Sequence, residues 1–248
     1  MINNLNTIFL YFILAVLPGM VWLSIFLKKD NLPEPKMKIM QIFYFGVFVA
    51  IPAVLIELWL LNDFKQFSAA SLSSISYFLF KNILIIGLIE ELLKYFVVRY
   101  FVLKKSCMDE PIDVPLYMII SALGFATAEN ILLFTSHQFT MITEPFILSL
   151  VRFLGANLLH VLCSGIIGVF LALSFYHLRY RWFLIIFGFS LGIVVHGLFD
   201  FFLESSIIEL SQSDYIVIYP ALLLIISYCL LNFAFNKIKK LKSICILK

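Results

Sequence analysis

Leu88-Ile89-Glu90-Glu91-Leu92-Leu93-Lys94 lies inside an apolar run that extends from Ser76 to Leu103. A run of that length covers roughly 30 Å of hydrocarbon at about 1.5 Å per residue, so it reads as a membrane-spanning helix with charge at its centre. A charged side chain at the bilayer centre costs about 2.5–3.5 kcal/mol on insertion scales, so such residues face a polar cavity and have a task. Glu90 and Lys94 are four apart on one helical face, and Glu91 and Lys94 are three apart. Lys94 can neutralise one carboxylate, which leaves its neighbour, about 100° round the helix, free to act as a base. The plain alternative is an ion pair that only ties helices together.

The rest of the chain agrees with a membrane setting. Of 248 residues, 62% are hydrophobic and 13% charged, with a mean hydropathy of +1.03. This composition excludes an ordinary soluble domain. The basic residues are spread through loops without aromatic interleaving, so no nucleic-acid surface is expected. Hydropathy predicts an all-α integral membrane protein of about seven helices, with six to eight allowed, bundled around a polar cavity near the midplane. The expected spans are Leu5 to Leu27, Ile39 to Leu61, Ser76 to Leu103, Val114 to Thr135, Pro145 to Tyr176, Trp182 to Leu203 and Tyr215 to Phe235. Together they form a single polytopic domain, 1–248, with helices three to six (76–203) as its catalytic part and a basic tail at 236–248.

Lysine and arginine alternate between connections. The first loop holds Lys28, Lys29, Lys36 and Lys38; the third holds Arg99, Lys104 and Lys105; the fifth holds Arg179 and Arg181. The tail carries Lys237, Lys239, Lys240, Lys242 and Lys248, whereas Lys65 stands alone in the even loops. By the positive-inside rule the N-terminus is outside and the C-terminus cytoplasmic, which requires an odd number of crossings. The first apolar stretch lacks a basic leader and a small-residue cleavage site, so it is expected to remain as an anchor. Cys107 and Cys245 fall on the cytoplasmic side and Cys163 and Cys229 within helices, so no extracytoplasmic disulfide framework is expected. Frequent Ile, Asn, Lys and Phe suggest an AT-rich bacterial genome.

Further ionisable residues interrupt the next three helices. The fourth reads Gly124-Phe125-Ala126-Thr127-Ala128-Glu129-Asn130, with small residues that permit close helix approach. Asn130 could donate to a developing oxyanion. The fifth carries His160 and Ser164 on one face. Cys163 is a poor nucleophilic partner for His160, because three residues apart on a rigid helix gives poor geometry. The sixth reads His196-Gly197-Leu198-Phe199-Asp200, which stacks His196 and Asp200 as two ligands or as a base and its orienting carboxylate. Each alone has a plain structural reading: a protonated acid at a helix interface, a packing histidine, a local His–Asp bond. Depth joins them, since Glu90, Glu129, His160 and His196 each lie about 14 or 15 residues into their segments, roughly 21–23 Å at helical rise. With helices three and five running inward and four and six outward, they can meet in one cavity. Glu57, Lys81 and Arg152 lie toward outer helix ends, where snorkelling or a Glu57–Lys81 pair is the expected account. His137 and His177 sit at helix ends without an assigned role.

Five motifs in order resemble the PrsW family of intramembrane proteases: Asp30-Asn31-Leu32-Pro33-Glu34-Pro35, Glu90-Glu91-x-x-Lys94, Phe125-x-x-x-Glu129-Asn130, His160-x-x-x-Ser164 and His196-x-x-x-Asp200. The resemblance covers about residues 28–200. It implies peptide-bond hydrolysis within or beside a bacterial cell membrane, with Glu90, Glu91, Glu129, His160, His196 and Asp200 as site residues and Lys94, Phe125, Asn130 and Ser164 in support. The implied substrate is a membrane-anchored protein such as an anti-sigma factor, cut at site one in a stress response. The wider superfamily contains CAAX-type prenyl-protein endopeptidases and bacteriocin-processing or immunity proteins. This chain departs from the CAAX-type pattern in the Glu91 to Lys94 spacing and the lysine itself, in Glu129 for histidine and in Asp200 for asparagine.

Two mechanisms follow. Without metal, Glu90 activates water, helped by Glu129 or His160, while His196 and Asn130 stabilise the oxyanion. With metal, His160, His196 and a carboxylate from Glu129 or Asp200 hold one zinc ion with an open position. The absence of a His-Glu-x-x-His helix slightly favours the first. Rivals of another class are a proton-coupled transporter, since such residues also build proton relays, and a non-catalytic adaptor or immunity protein. No inverted repeat is evident, which weighs against transport.

Overall fold

The computed structural model describes residues 5–30, 32–68, 73–104, 110–207 and 218–241; Asn31, Lys105, Cys107, Tyr215, Lys242, Cys245 and Lys248 lie outside them, as does the side chain of Lys65. The regular elements are α1 (Leu5–Leu27), α2 (Lys36–Ser68), α3 (Ser74–Phe80), α4 (Leu88–Val98), α5 (Asp113–Ser136), α6 (Glu144–Leu154), α7 (Ala156–Tyr176), α8 (Arg181–Ile207) and α9 (Ile218–Ile238). Among the described residues there is no strand, as the hydropathy pattern requires of a chain whose backbone groups must be satisfied within each span. Among the described residues, six helical stretches are long and apolar enough to cross a membrane.

The third expected span is helical from Ser74 to Leu103 but in four pieces, because π-helical turns over Lys81–Gly87 and Arg99–Leu103 flank α4. The fifth is broken at Gly155, whose φ of −99° and ψ of −95° lie outside the helical region and divide α6 from α7. Neither break has a proline at its centre to announce it, and both border the residues of interest.

The bundle is layered around two central helices. About 72% of the most apolar window of α5 and 78% of that of α6–α7 is buried, against 28% for α1 and 22% for α2. α5 packs on α7, α2 and α1, while α8 closes against α7 and the Lys81–Gly87 turn. Large apolar side chains such as Phe48, Trp59, Trp182 and Phe233 are exposed on the outer helices, where lipid rather than water is the compatible neighbour.

Two glycines set the close approaches that position the site. A Cβ on Gly124 would fall on the Phe43 carbonyl, so α5 meets α2 backbone to backbone just before Phe125 and Glu129. A Cβ on Gly197 would fall on Ile83 Cα and the Asn82 carbonyl oxygen, so α8 touches the π turn directly. That contact brings His196, the preceding residue, against the carboxylates of α4. π turns add one residue to the helical ladder and often sit at functional sites. Gly165 and Gly168 pack closely against Leu231 and Pro115, whereas Gly155 is the α6–α7 break.

Candidate active site

The six residues expected to share a site do so, from four different helical segments. On α4, Lys94 Nζ is fully buried and lies 3.1 Å from Glu90 Oε2, 2.9 Å from Glu91 Oε1 and 2.8 Å from His160 Nδ1 on α7. An ammonium has three protons and no lone pair, so these three acceptors exhaust it. The same nitrogen sits 4.4 Å from the Phe125 ring centroid, which gives Phe125 its supporting role as a cation–π floor.

The lysine bond also fixes the His160 tautomer. If Nδ1 accepts from Lys94, the proton is on Nε2, which points at Glu129 Oε2 at 2.9 Å. Glu129 receives a second donor from Arg152 Nη2 at 2.8 Å. Arg152 was expected to snorkel outward; its Nε instead donates to Asn130 Oδ1, because two acceptors on α5, buried Asn130 and half-buried Glu129, offer it better solvation than a distant headgroup. Asn130 in turn donates to the Ala15 carbonyl and to Asn157 Oδ1, both at 3.0 Å. Its two N–H groups are thus engaged in joining α1, α5 and α7, which corrects the expectation that they serve an oxyanion.

Glu91 is the inner carboxylate. It is fully buried and receives Lys94, Ser164 Oγ at 2.6 Å and His196 Nδ1 at 3.0 Å. Glu90 is the outer one. Its contacts with Lys94, His160 Nδ1 (3.7 Å) and His196 Nε2 (3.5 Å) all run to Oε2. His196 Nε2 also lies 3.4 Å from Asp200 Oδ2, one turn along α8. The i, i+4 stack read from the sequence is therefore present, but the nearest partner of His196 is Glu91 on another helix.

These groups border a cavity of about 810 Å³. Glu90, Glu129, His160, His196 and Asp200 line it, together with Arg152, Glu57 and, at the C-terminal end of α5, Thr135 and Ser136. Glu91, Lys94 and Ser164 stand behind the lining. Sequence reasoning missed Glu57 and Arg152. The expected Glu57–Lys81 pair is absent, because Lys81 Nζ holds both carboxylate oxygens of Glu204, at 2.5 and 2.6 Å, and Asn82 adds a third contact to that group. Buried Asn157, an amide within an apolar segment, was the signal for the Asn130 link. Cys163 belongs to the hydrophobic core and has no place in the cavity lining. His137 and His177 fall just past the C-terminal ends of α5 and α7.

The model of the family described as PrsW family intramembrane metalloprotease matches residues 34–228. The chain belongs to the PrsW family. It is 30% identical over 190 residues to Protease PrsW of Geobacillus kaustophilus (strain HTA426), covering 76% of this chain and 77% of the relative. It is 28% identical over 203 residues to Protease PrsW of Bacillus subtilis (strain 168), with 77% and 81% covered, and 26% identical over 205 residues to that of Clostridioides difficile (strain 630), with 79% of each. No solved structure matches it significantly. As a PrsW family member the chain is a multi-pass membrane peptidase. The family description includes a metal, and the donor set here fits one by type: Glu90, His160 and His196 offer ligand atoms that lie within 4.8 Å of one another. Two imidazoles and a carboxylate are a familiar zinc set, and the Glu91 bond to Nδ1 orients His196 as outer partners orient metal-binding histidines. The carboxylate in this group is Glu90, where Glu129 or Asp200 was expected, since those two are turned to Arg152 and His160 and to the outer side of His196.

Proposed function

We propose that the protein hydrolyses a peptide bond in a membrane-anchored protein, in the manner of site-one cleavage of an anti-sigma factor, with Glu90 as the base that activates water. The observation that carries this reading is the division of the two adjacent carboxylates: Glu91 is enclosed by three donors, whereas Glu90 borders the cavity. Water on the cavity side of Glu90 gives it a proton and attacks the carbonyl carbon. Glu90 then passes that proton to the leaving amine as the C–N bond breaks. The oxyanion faces His196 and Arg152, whose guanidinium has five N–H donors and uses two of its nitrogens on Glu129 and Asn130. Lys94 orients Glu90 and keeps it from drifting toward Glu91. When the family's metal is bound, Glu90, His160 and His196 would hold it, with His160 Nδ1 giving up its bond from Lys94, and the metal would take over from Glu90 the activation of water and supply a Lewis acid for the carbonyl.

The alternation of basic loops supports an N-terminus outside and a C-terminus inside a bacterial plasma membrane. In that orientation the end of α5 that carries the lining residues Thr135 and Ser136 lies at the outer face, which supports entry of a substrate from the extracytoplasmic side. The test is cleavage of a purified single-span anti-sigma-type substrate in detergent. Glu90→Gln and His196→Ala should each abolish cutting while leaving the protein folded. Normal cutting by both variants defeats the assignment.

A further inference from the structure

Glu57 lines the cavity and has no part in the proposed chemistry. It lies on α2, one turn beyond Ala53, which is fully buried in a cluster with Phe125 and Ala128. That register turns Glu57 toward α5 beside Glu129, and it lines the same cavity as Glu90, His196 and Asp200. Its Oε1 is buried and has no hydrogen-bond partner.

Among the described residues, the cations near the cavity are engaged with other partners. Lys94 is held by Glu90, Glu91 and His160; Arg152 by Glu129 and Asn130; Lys81 by Glu204. A buried carboxylate oxygen without a donor is costly to keep, and the cavity that Glu57 borders is where a donor can be supplied. Asp200, also on the lining and bonded on one side to His196 Nε2, adds negative charge to the same space. A backbone amide could satisfy one oxygen but not the charge. Resting on the protease reading above, we infer that Glu57 is a specificity residue: it receives a basic side chain, lysine or arginine, from the substrate segment beside the scissile bond.

The test uses full-length protein in detergent, in a Glu90→Gln background that binds without turnover, and a set of fluorescent single-span peptides in which lysine is moved along the segment, each paired with its norleucine counterpart. At one position lysine should tighten binding by about tenfold, the scale of a hydrogen bond to a charged group. Adding Glu57→Gln, which keeps shape and removes charge, should reduce that ratio to about twofold or less, and Glu57→Lys should transfer the preference to a glutamate peptide. A lysine preference that survives Glu57→Gln overturns the inference, as does a parent that prefers lysine at no position. Turnover is scored separately with Glu90 restored: loss of the lysine preference should raise KM and leave kcat unchanged. A wild-type protein that binds the lysine peptide selectively but cuts none of the set would sink the protease reading and leave the Glu57 assignment standing.

Discussion

Replacing Lys94 with methionine removes the single cation on which the α4 carboxylates and His160 converge. The side chain is fully buried and makes three contacts of 2.8–3.1 Å, to Glu90, Glu91 and His160. Methionine fills most of the volume, so the loss is electrostatic and not a cavity. Removing one partner of a buried ion pair costs about 3–5 kcal/mol, because the other charge is left uncompensated. Ser164 and His196 still donate to Glu91, which places the expected loss toward the lower end of that range. The measurement is unfolding in mixed micelles titrated with SDS, compared with Lys94→Met/Glu91→Gln, in which the stranded charge is also removed. The double variant should recover at least about 1 kcal/mol relative to Lys94→Met alone, a coupling expected of residues in one network. A Lys94→Met protein within about 0.5 kcal/mol of wild type, the range of an ordinary surface substitution, would refute the view that this lysine holds the site together.

Other consequences are open to direct measurement. Gly197→Ala forces a methyl group into Ile83 and the Asn82 carbonyl, so it should destabilise the protein by about 1–3 kcal/mol and slow cleavage, read by the same SDS titration and by turnover. Arg152→Met leaves Glu129 with only His160 as its donor and should lower kcat by about 10²-fold, the scale of one lost oxyanion donor, with a smaller effect on KM. Elemental analysis of the purified enzyme should find one metal equivalent that is lost in His160→Ala and in His196→Ala; an active preparation without metal would assign the chemistry to Glu90 alone. Outside the membrane spans, burial and a hydrogen bond shared with Glu110 push Asp30 up from 3.8 to about 6. A carboxyl raised on folding stabilises the protonated loop: its contribution is full below pH 3.8 and is lost as pH rises through about 6. Amide exchange at Leu32 and Glu34, whose N–H groups bond Asp30, should therefore be slower at pH 5 than at pH 7 after correction for intrinsic rates, and Asp30→Asn should remove that difference.

The parts of the fold and site that were legible in the sequence share one physical cause. An ionisable residue inside twenty apolar ones is anomalous whatever surrounds it, so Glu90, Glu129, His160 and His196 could be picked out one by one and joined by depth. The same argument separates Glu91 from Glu90 only in part, because one residue of offset says that the two point apart but not which faces the cavity. Glu57 and Arg152 were concealed by position. Near a helix end the inexpensive solution for a charged residue is to reach the headgroups, and only the packing of α2 against α5 and of α6 against α1 and α7 shows that these two turn inward. The breaks were hidden for a different reason. Lys81–Gly87 is an apolar sequence apart from its first two residues and suits an ordinary α-helix; its π turn meets the backbone of Gly197, a partner that lies more than one hundred residues later.

That long-range contact also explains how a site can be rigid and still admit water beneath a membrane surface. The immovable parts are inside: Glu91, Lys94 and Ser164 are buried and satisfied by one another, and α5 and α7 are the most enclosed helices of the bundle. The parts that meet substrate are carried on elements interrupted next to them. Glu90 follows the π turn by three residues, and Arg152 and His160 stand on opposite sides of the Gly155 break. A straight helix through Gly155 would put residues 152 and 160 about two turns apart on one continuous rod, whereas the break lets Arg152 reach across to Glu129 and Asn130 while His160 reaches the same carboxylate from the next helix. Glu129 is thus clamped from both sides of the interruption. Restoring helical continuity with Gly155→Ala, whose Cβ would fall 2.9 Å from the Val151 carbonyl oxygen, should therefore weaken the Arg152 contact before it affects His160, so the loss of activity should resemble that of Arg152→Met, with Lys94 and Glu91 undisturbed. A Gly155→Ala protein that is fully active would show that α6 reaches Glu129 without help from the break.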